Sequence, residues 1–323
     1  MKFASFLFTA ALAFCSLGLH AQSSENDFDY QTIEQADDYE GKVVCTLISH
    51  KSNTNNKRAV LYLHGYNDYF FQHQMADSVL KHNLDFYAIE LRKYGRSKLD
   101  NQTWFELRDI EEYFPDIDSA ISRMKAAGVE DIYFMAHSTG GLISSLYLDK
   151  RQNETAVKAL ILNSPFLDFN LPAYQKNVLI PFLGFFKPVI GNMRISQGDD
   201  SKYAESLLKD FEGEWIYDTT MKISPSPSVS VYWLSAIKKG HRQIKKGLNI
   251  KQPVLVLSSD NSNAEPKTSD IVLNYEHIQS RADKLGKNVT KKIIPQGKHD
   301  LALSIEPARN QFYKEIFDFI DRN

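Results

Sequence analysis

Short apolar runs alternate with stretches of helical spacing along this chain, and that alternation limits its fold more than any other feature. The runs are Arg58 to His64 (RAVLYLH), Leu84 to Leu91 (LDFYAIEL), Asp131 to His137 (DIYFMAH), Val157 to Asn163 (VKALILN), Pro253 to Ser258 (PVLVLS) and the more polar Val289 to Ile294 (VTKKII). Each is of strand length, and most lack the every-other-residue polarity of a strand with one wet face, so both faces must be covered. Helical patterns fall between them: Asp68 to Asn83, Asp109 to Gly128 with apolar Ile110, Phe114, Ile117, Ile121 and Met124, Gly140 to Arg151, and Tyr275 to Leu285. The pattern predicts an α/β fold, a mostly parallel central sheet with helices on both faces.

The rhythm breaks over about 167–247. This stretch holds Pro172, Pro181, Pro188, Pro225 and Pro227 and an aromatic cluster at Phe182, Phe185 and Phe186. It is far longer than the usual connection of about 2–6 residues, so it reads as an insertion, a cap over the sheet edge where such folds bind ligands. At the other end, Lys2 followed by the apolar run Phe3 to Leu19 and small Ala21 has the pattern of a secretory signal cleaved near Ala21. That predicts an exported protein, periplasmic or secreted, with no transmembrane span in the mature chain. Residues 22–40, rich in acidic side chains, read as a loose polar leader, with the main domain at 41–323. Of the two cysteines, Cys15 leaves with the signal, so Cys45 has no partner for an internal disulfide. The formal net charge of −2 supplies no basic field for nucleic acid.

Three local patterns carry chemistry. Ala136-His137-Ser138-Thr139-Gly140-Gly141 follows a strand and opens a helix, the setting of a nucleophile elbow. The serine of such an elbow sits on a cramped turn, so the positions two before and two after must be small. Here they are Ala136 and Gly140, alanine standing where glycine is usual. The turn would expose the Ser138 hydroxyl and aim the Thr139 N–H at a developing oxyanion. His64-Gly65-Tyr66, just after the first strand, would aim the Tyr66 N–H at the same place. Gly297-Lys298-His299-Asp300 lies beyond the last strand, where a histidine can reach back over the sheet edge as general base.

With these motifs the chain resembles the α/β-hydrolases of the serine aminopeptidase and monoglyceride lipase type, a group also described as lysophospholipase-like. The resemblance rests on LHGYND at 63–68, LRKYGRS at 91–97, AHSTGG at 136–141, PVLVLS at 253–258 and GKHD at 297–300. The departures are Glu90-Leu91 for the usual Asp-Leu, and Lys93-Tyr94 where Gly-His is typical. The resemblance implies an α/β-hydrolase fold with a cap, no cofactor, and a triad of Ser138, His299 and an acid. Its usual acid-to-histidine separation favours Asp270, with Asp260 the alternative.

The expected activity is hydrolysis of a carboxylic ester, an acylglycerol, lysophospholipid or similar, through an acyl-enzyme. The alternatives on the same residues are an aminopeptidase-type peptide hydrolase and an acyltransferase. A non-catalytic binding protein would show a lost triad member, and Ser138 and His299 are both present. The remaining histidines have no metal-ligand spacing. The expected partner is thus a small-molecule or lipid ester, and the sequence fixes no oligomeric state.

Overall fold

The computed structural model describes residues 23–52, 56–198, 200–263 and 265–323; the signal-like run and Ala21 lie outside them. The main elements are β1 (Asp29–Asp38), β2 (Gly41–His50), β3 (Arg58–Leu63), α1 (His73–Lys81), β4 (Asp85–Glu90), α2 (Phe114–Ala126), β5 (Asp131–His137), α3 (Thr139–Lys150) and β6 (Val157–Asn163). They continue with α4 (Ile180–Phe185), α5 (Lys187–Ile190), β7 (Arg194–Ile195), α6 (Ser201–Leu207), β8 (Val229–Ser230), α7 (Val231–Lys246), β9 (Val254–Ser259), α8 (Tyr275–Ala282), β10 (Val289–Ile294) and α9 (Glu306–Ile320). Eight strands form one sheet in the order β1-β2-β4-β3-β5-β6-β9-β10. β1–β2 and β2–β4 pair antiparallel, and every later pairing is parallel.

The continuous apolar runs are explained by where alternate residues go. Leu61, Leu63, Phe134, Ala136, Leu160, Leu162, Val254 and Val256 enter one core, with residues of α2, α3, α7 and α8. Val60, Tyr62, Tyr133, Met135, Ala159, Ile161, Leu255 and Leu257 enter the other, with α1 and α9. A side-chain period of two thus produces no polar alternation, because both faces are dry.

The part of the acidic leader that the structure describes, 23–40, is not loose. Glu25–Asp27 forms a 3-10 turn and β1 pairs along β2 in register from Asp29↔Ser49 to Gln35↔Val43. β1 is an edge strand with only Ile33 buried, so its sequence looks like solvated polar chain. Several acidic residues of the segment have partners. The buried Lys93 ammonium lies 2.7 Å from Asp38 Oδ2 and 2.8 Å from Glu40 Oε2, and Arg96 bridges Glu25 and Glu90 at 2.5 Å each. This accounts for a departure from the family pattern. Lys93 has φ +65°, a conformation glycine takes without strain, and its side chain is held by the hairpin turn at 38–40.

The helix expected from Asp68 begins only at His73. Phe70 N donates to Glu90 Oε1 (3.2 Å), and residues 66–69 are tied elsewhere, as described below. Between β6 and β9 the chain leaves the sheet. α4, α5, the small β7–β8 ladder, α6 and α7 lie there. α7 is the root of this insertion: its Val231, Trp233, Ile237 and Ile244 are buried, and Gly240 lets it approach so closely that a Cβ there would come within 2.6 Å of Ile110 Cδ1.

Candidate active site

Ser138 stands at the turn between β5 and α3 with φ +50° and ψ −116°, a strained conformation for a residue with a side chain. The turn is held by backbone bonds: Ser138 N donates to Asn163 O (3.0 Å), and Ser138 O accepts from Gly141 N and Phe166 N (both 2.9 Å). The tight elbow demands small neighbours. A Cβ on Gly140 would sit 2.4 Å from the His64 carbonyl oxygen, and one on Gly141 2.6 Å from Pro165 Cβ. Ala136 is fully buried at the preceding small position. Ser138 is the N-cap residue of α3, yet its side chain caps nothing. Its Oγ instead donates to His299 Nε2 at 2.9 Å.

His299 comes from the loop after β10. Its Nδ1–H donates to Asp270 Oδ2 at 3.0 Å, the tautomer that a carboxylate acceptor dictates. Asp270 is fully buried, and its Oδ1 accepts from Val272 N (2.9 Å) and Leu273 N (2.7 Å). The other carboxylate considered, Asp260, turns away: its Oδ1 accepts from Asn261 Nδ2 (2.6 Å) and Gln296 N (3.2 Å) and organises the loop after β9. An imidazole held between a serine hydroxyl and a buried carboxylate can take the hydroxyl proton and return it.

The loop after β3 runs alongside. His64 is buried; its Nε2 accepts from Leu91 N (3.1 Å), so its Nδ1–H donates to Gly65 O (2.8 Å). A Cβ on Gly65 would approach Ser138 Cβ to 3.1 Å, so only glycine brings this loop so near the elbow. Tyr66 and Thr139 line the same cavity as Ser138 and His299. As the first residue of α3, Thr139 carries an N–H that the helix itself does not use.

The model of the family described as serine aminopeptidase, S33, matches residues 54–306. The chain belongs to this α/β-hydrolase family. Its fold is also that of a soluble variant of the Saccharomyces cerevisiae monoglyceride lipase solved with a substrate analogue (TM-score 0.67, 13% identity, covering 91% of this chain and 96% of that one). The monoacylglycerol lipase of Paleococcus ferrophilus is similar (0.62, 16%, 90% and 98%), as is a thermostable carboxyl esterase of Bacillus coagulans (0.62, 14%, 90% and 98%). No curated protein matches the chain.

In this hydrolase the serine and imidazole lie at one side of a cavity of about 690 Å³, in the range of small-molecule sites. Phe166, Phe169, Leu179, Leu183, Trp233 and Leu273 are among its walls. Asp200 is the one carboxylate among the described lining residues, and it already accepts from Ser226 N (2.8 Å) and Ser226 Oγ.

The electrostatics follow from burial. Desolvation lowers the His64 pKa to about 4, which keeps its ring neutral and its tautomer fixed. His137, whose ring packs 4.8 Å from that of His299, is also lowered by burial. Lys298, beside His299, is pushed down to about 8 by burial, with its ammonium on the Ser206 carbonyl at 2.5 Å. Among the described residues, Asp68, His137 and Asp300 bring ligand-type atoms within 4.8 Å of one another. A cation is already there, since Lys222 Nζ lies 2.9 Å from Asp68 Oδ1, and Asp300 is held by Asn163 Nδ2 (2.7 Å), Ala302 N (3.0 Å) and Gln72 Nε2 (3.2 Å).

One positioning residue escaped the sequence reading. Asn163 ends β6 with its backbone O on the elbow, its Nδ2 on Asp300 and its Oδ1 accepting from Leu301 N (3.1 Å). It thereby ties the serine turn to the histidine loop. The only sequence signal was an asparagine closing an apolar run.

Proposed function

We propose that the chain is a serine hydrolase that cleaves the ester of an apolar acyl group, an acylglycerol or a lysophospholipid, through an acyl-enzyme. The observation that carries the reading is the bonded series Ser138–His299–Asp270 beside a cavity with apolar walls. Ser138 Oγ attacks the ester carbonyl carbon as its proton passes to His299 Nε2. The carbonyl oxygen becomes an oxyanion, stabilised by the Tyr66 and Thr139 N–H groups. Asp270 holds the imidazolium. Collapse expels the alcohol, which takes the proton from His299. Water then attacks the acyl-enzyme, giving its proton to His299, and the acid leaves as Ser138 recovers its hydrogen.

The cavity favours an ester over the amino end of a peptide. An aminopeptidase must also receive the substrate's ammonium on a carboxylate, and Asp200, the one carboxylate among the described lining residues, already accepts two hydrogen bonds from Ser226. The apolar surface of the insertion points the same way: Phe182, Phe185 and Val189 are 59%, 78% and 86% exposed. They share the stretch 179–189 with Leu179 and Leu183, which line the cavity, so an acyl chain leaving the cavity meets further apolar side chains of the same segment. Lipase and esterase activities named for similar folds fit this reading.

The test is a panel of purified-enzyme assays on p-nitrophenyl esters of increasing chain length, monoacylglycerols, lysophospholipids and aminoacyl amides, alongside Ser138→Ala. The expected result is ester turnover that rises with chain length and, in Ser138→Ala, loss of both turnover and fluorophosphonate labelling. Preferred cleavage of aminoacyl amides would refute the ester reading. We also propose that the protein is exported with cleavage near Ala21; N-terminal sequencing of the mature chain tests this.

A further inference from the structure

We infer that the insertion is part of the catalytic machinery: its strap at 218–227 sets the loop that presents the Tyr66 N–H, with Asn67 and Lys222 as positioning residues. This rests on the proposed role of Tyr66 above. Hydrogen bonds from the sheet domain hold that loop at Gly65, through His64 and Leu91, and again from Phe70, through Glu90, while Tyr66 packs its ring against Phe105. Each of the four residues between is tied to the strap. Tyr66 Oη donates to Pro227 O (3.1 Å). Asn67 Nδ2 donates to Ile223 O (2.6 Å) and Ser226 Oγ (2.7 Å), while its Oδ1 accepts from Ile223 N (2.9 Å). Asp68 pairs with Lys222 at 2.9 Å, both side chains largely buried, and Tyr69 Oη accepts from Asp218 N (2.6 Å).

The physical need is positional. A donor stabilises an oxyanion only at hydrogen-bond distance from where the charge forms, so a shift of about 1 Å can cost about a hundredfold in rate. Asn67 sits next to that donor with φ +50° and uses both ends of its amide on one strap residue, Ile223, a pairing that fixes distance and rotation together. Lys222 brings the compensating charge to buried Asp68, whose other oxygen has no hydrogen-bond partner among the described residues. The insertion therefore covers the cavity and also holds one wall of the reaction centre.

Asn67→Gly is the sharpest test, because glycine accepts the left-handed conformation and removes only the latch. On a monomeric short-chain ester, and per site titrated with a fluorophosphonate, kcat should fall about 10- to 100-fold while KM stays within about twofold. Affinity for a trifluoromethyl ketone, whose adduct places an oxyanion in the site, should fall with kcat. Lys222→Met should lower kcat in the same way, and Lys222→Arg should restore it. If Asn67→Gly does not fold, Ser226→Ala removes one of the same bonds and should lower kcat severalfold at unchanged KM. An unchanged kcat in the folded latch variants, or a loss confined to KM, would overturn the inference while leaving the ester reading intact. Activity surviving in Ser138→Ala would instead strike the reading beneath it.

Discussion

The sheet and the insertion beside it are built from the same apolar residue types and use them in opposite ways. In β3, β5, β6 and β9, Leu61, Phe134, Leu160 and Val256 are completely buried between two helical layers. In the insertion, Phe182, Phe185 and Val189 face solvent, while α7 keeps a buried stripe against the sheet domain and Leu207 of α6 packs with Tyr69, Phe71 and Leu303. The first region spends its apolar surface on cohesion, so its geometry is rigid and can hold Ser138 at φ +50°. The second leaves apolar surface exposed, and its polar bonds reach down to the loops around the serine.

This contrast can be broken or sharpened by experiment. The largest effect is expected at the rigid end: Ser138→Ala should lower kcat by about four to six orders of magnitude, measured on a chromogenic ester. Next, Asp270→Asn should cost about 10⁴ in kcat by presenting the wrong tautomer of His299. Asp260→Asn should stay within a few-fold, and a reversal of the two would show that the acid had been misassigned. For stability, Leu160→Ala should cost about 2–5 kcal/mol in urea denaturation, whereas Val189→Ala should change it by no more than about 0.5 kcal/mol; equal costs would remove the distinction between the regions.

A pH test follows from His64. Its folded pKa of about 4 lies below the ordinary 6.5, so between those values the unfolded chain binds a proton that the folded chain refuses. Stability from this group is therefore present above 6.5 and lost as pH falls toward 4, by up to about 3 kcal/mol. Replacing it by glutamine should make the pH dependence of denaturation shallower across that window. The smallest effect is expected at the exposed end. Phe182→Ser with Phe185→Ser should lower turnover of micellar monoacylglycerol by about threefold to tenfold, a loss of order one kcal/mol of apolar contact, and leave a soluble butyrate ester untouched.

What the sequence reveals follows the same division. The elbow and the histidine loop are local: Ala136, Ser138 and Gly140 sit within five positions, and His299 follows a strand end, so short-range sterics leave a visible mark. The preference for Asp270 over Asp260 rests on the family resemblance, through the turn and helix that follow it and its separation from His299. β1 was misread because an edge strand with one buried residue has no apolar pattern to see. The latch was invisible for another reason. Asn67 meets Ile223 through that residue's main chain, 156 positions away, and a backbone carbonyl leaves no trace in residue identity.

β1 also has a consequence for handling the protein. It carries Glu34, Asp37 and Asp38 along the open margin of an eight-stranded sheet, and Lys42 on β2 answers Glu34. Charges there discourage another molecule from adding a strand. A chain shortened to begin at Gly41 would bare the ladder of β2, with Val43, Cys45 and Leu47 behind it, and would clump at concentrations the full-length protein tolerates.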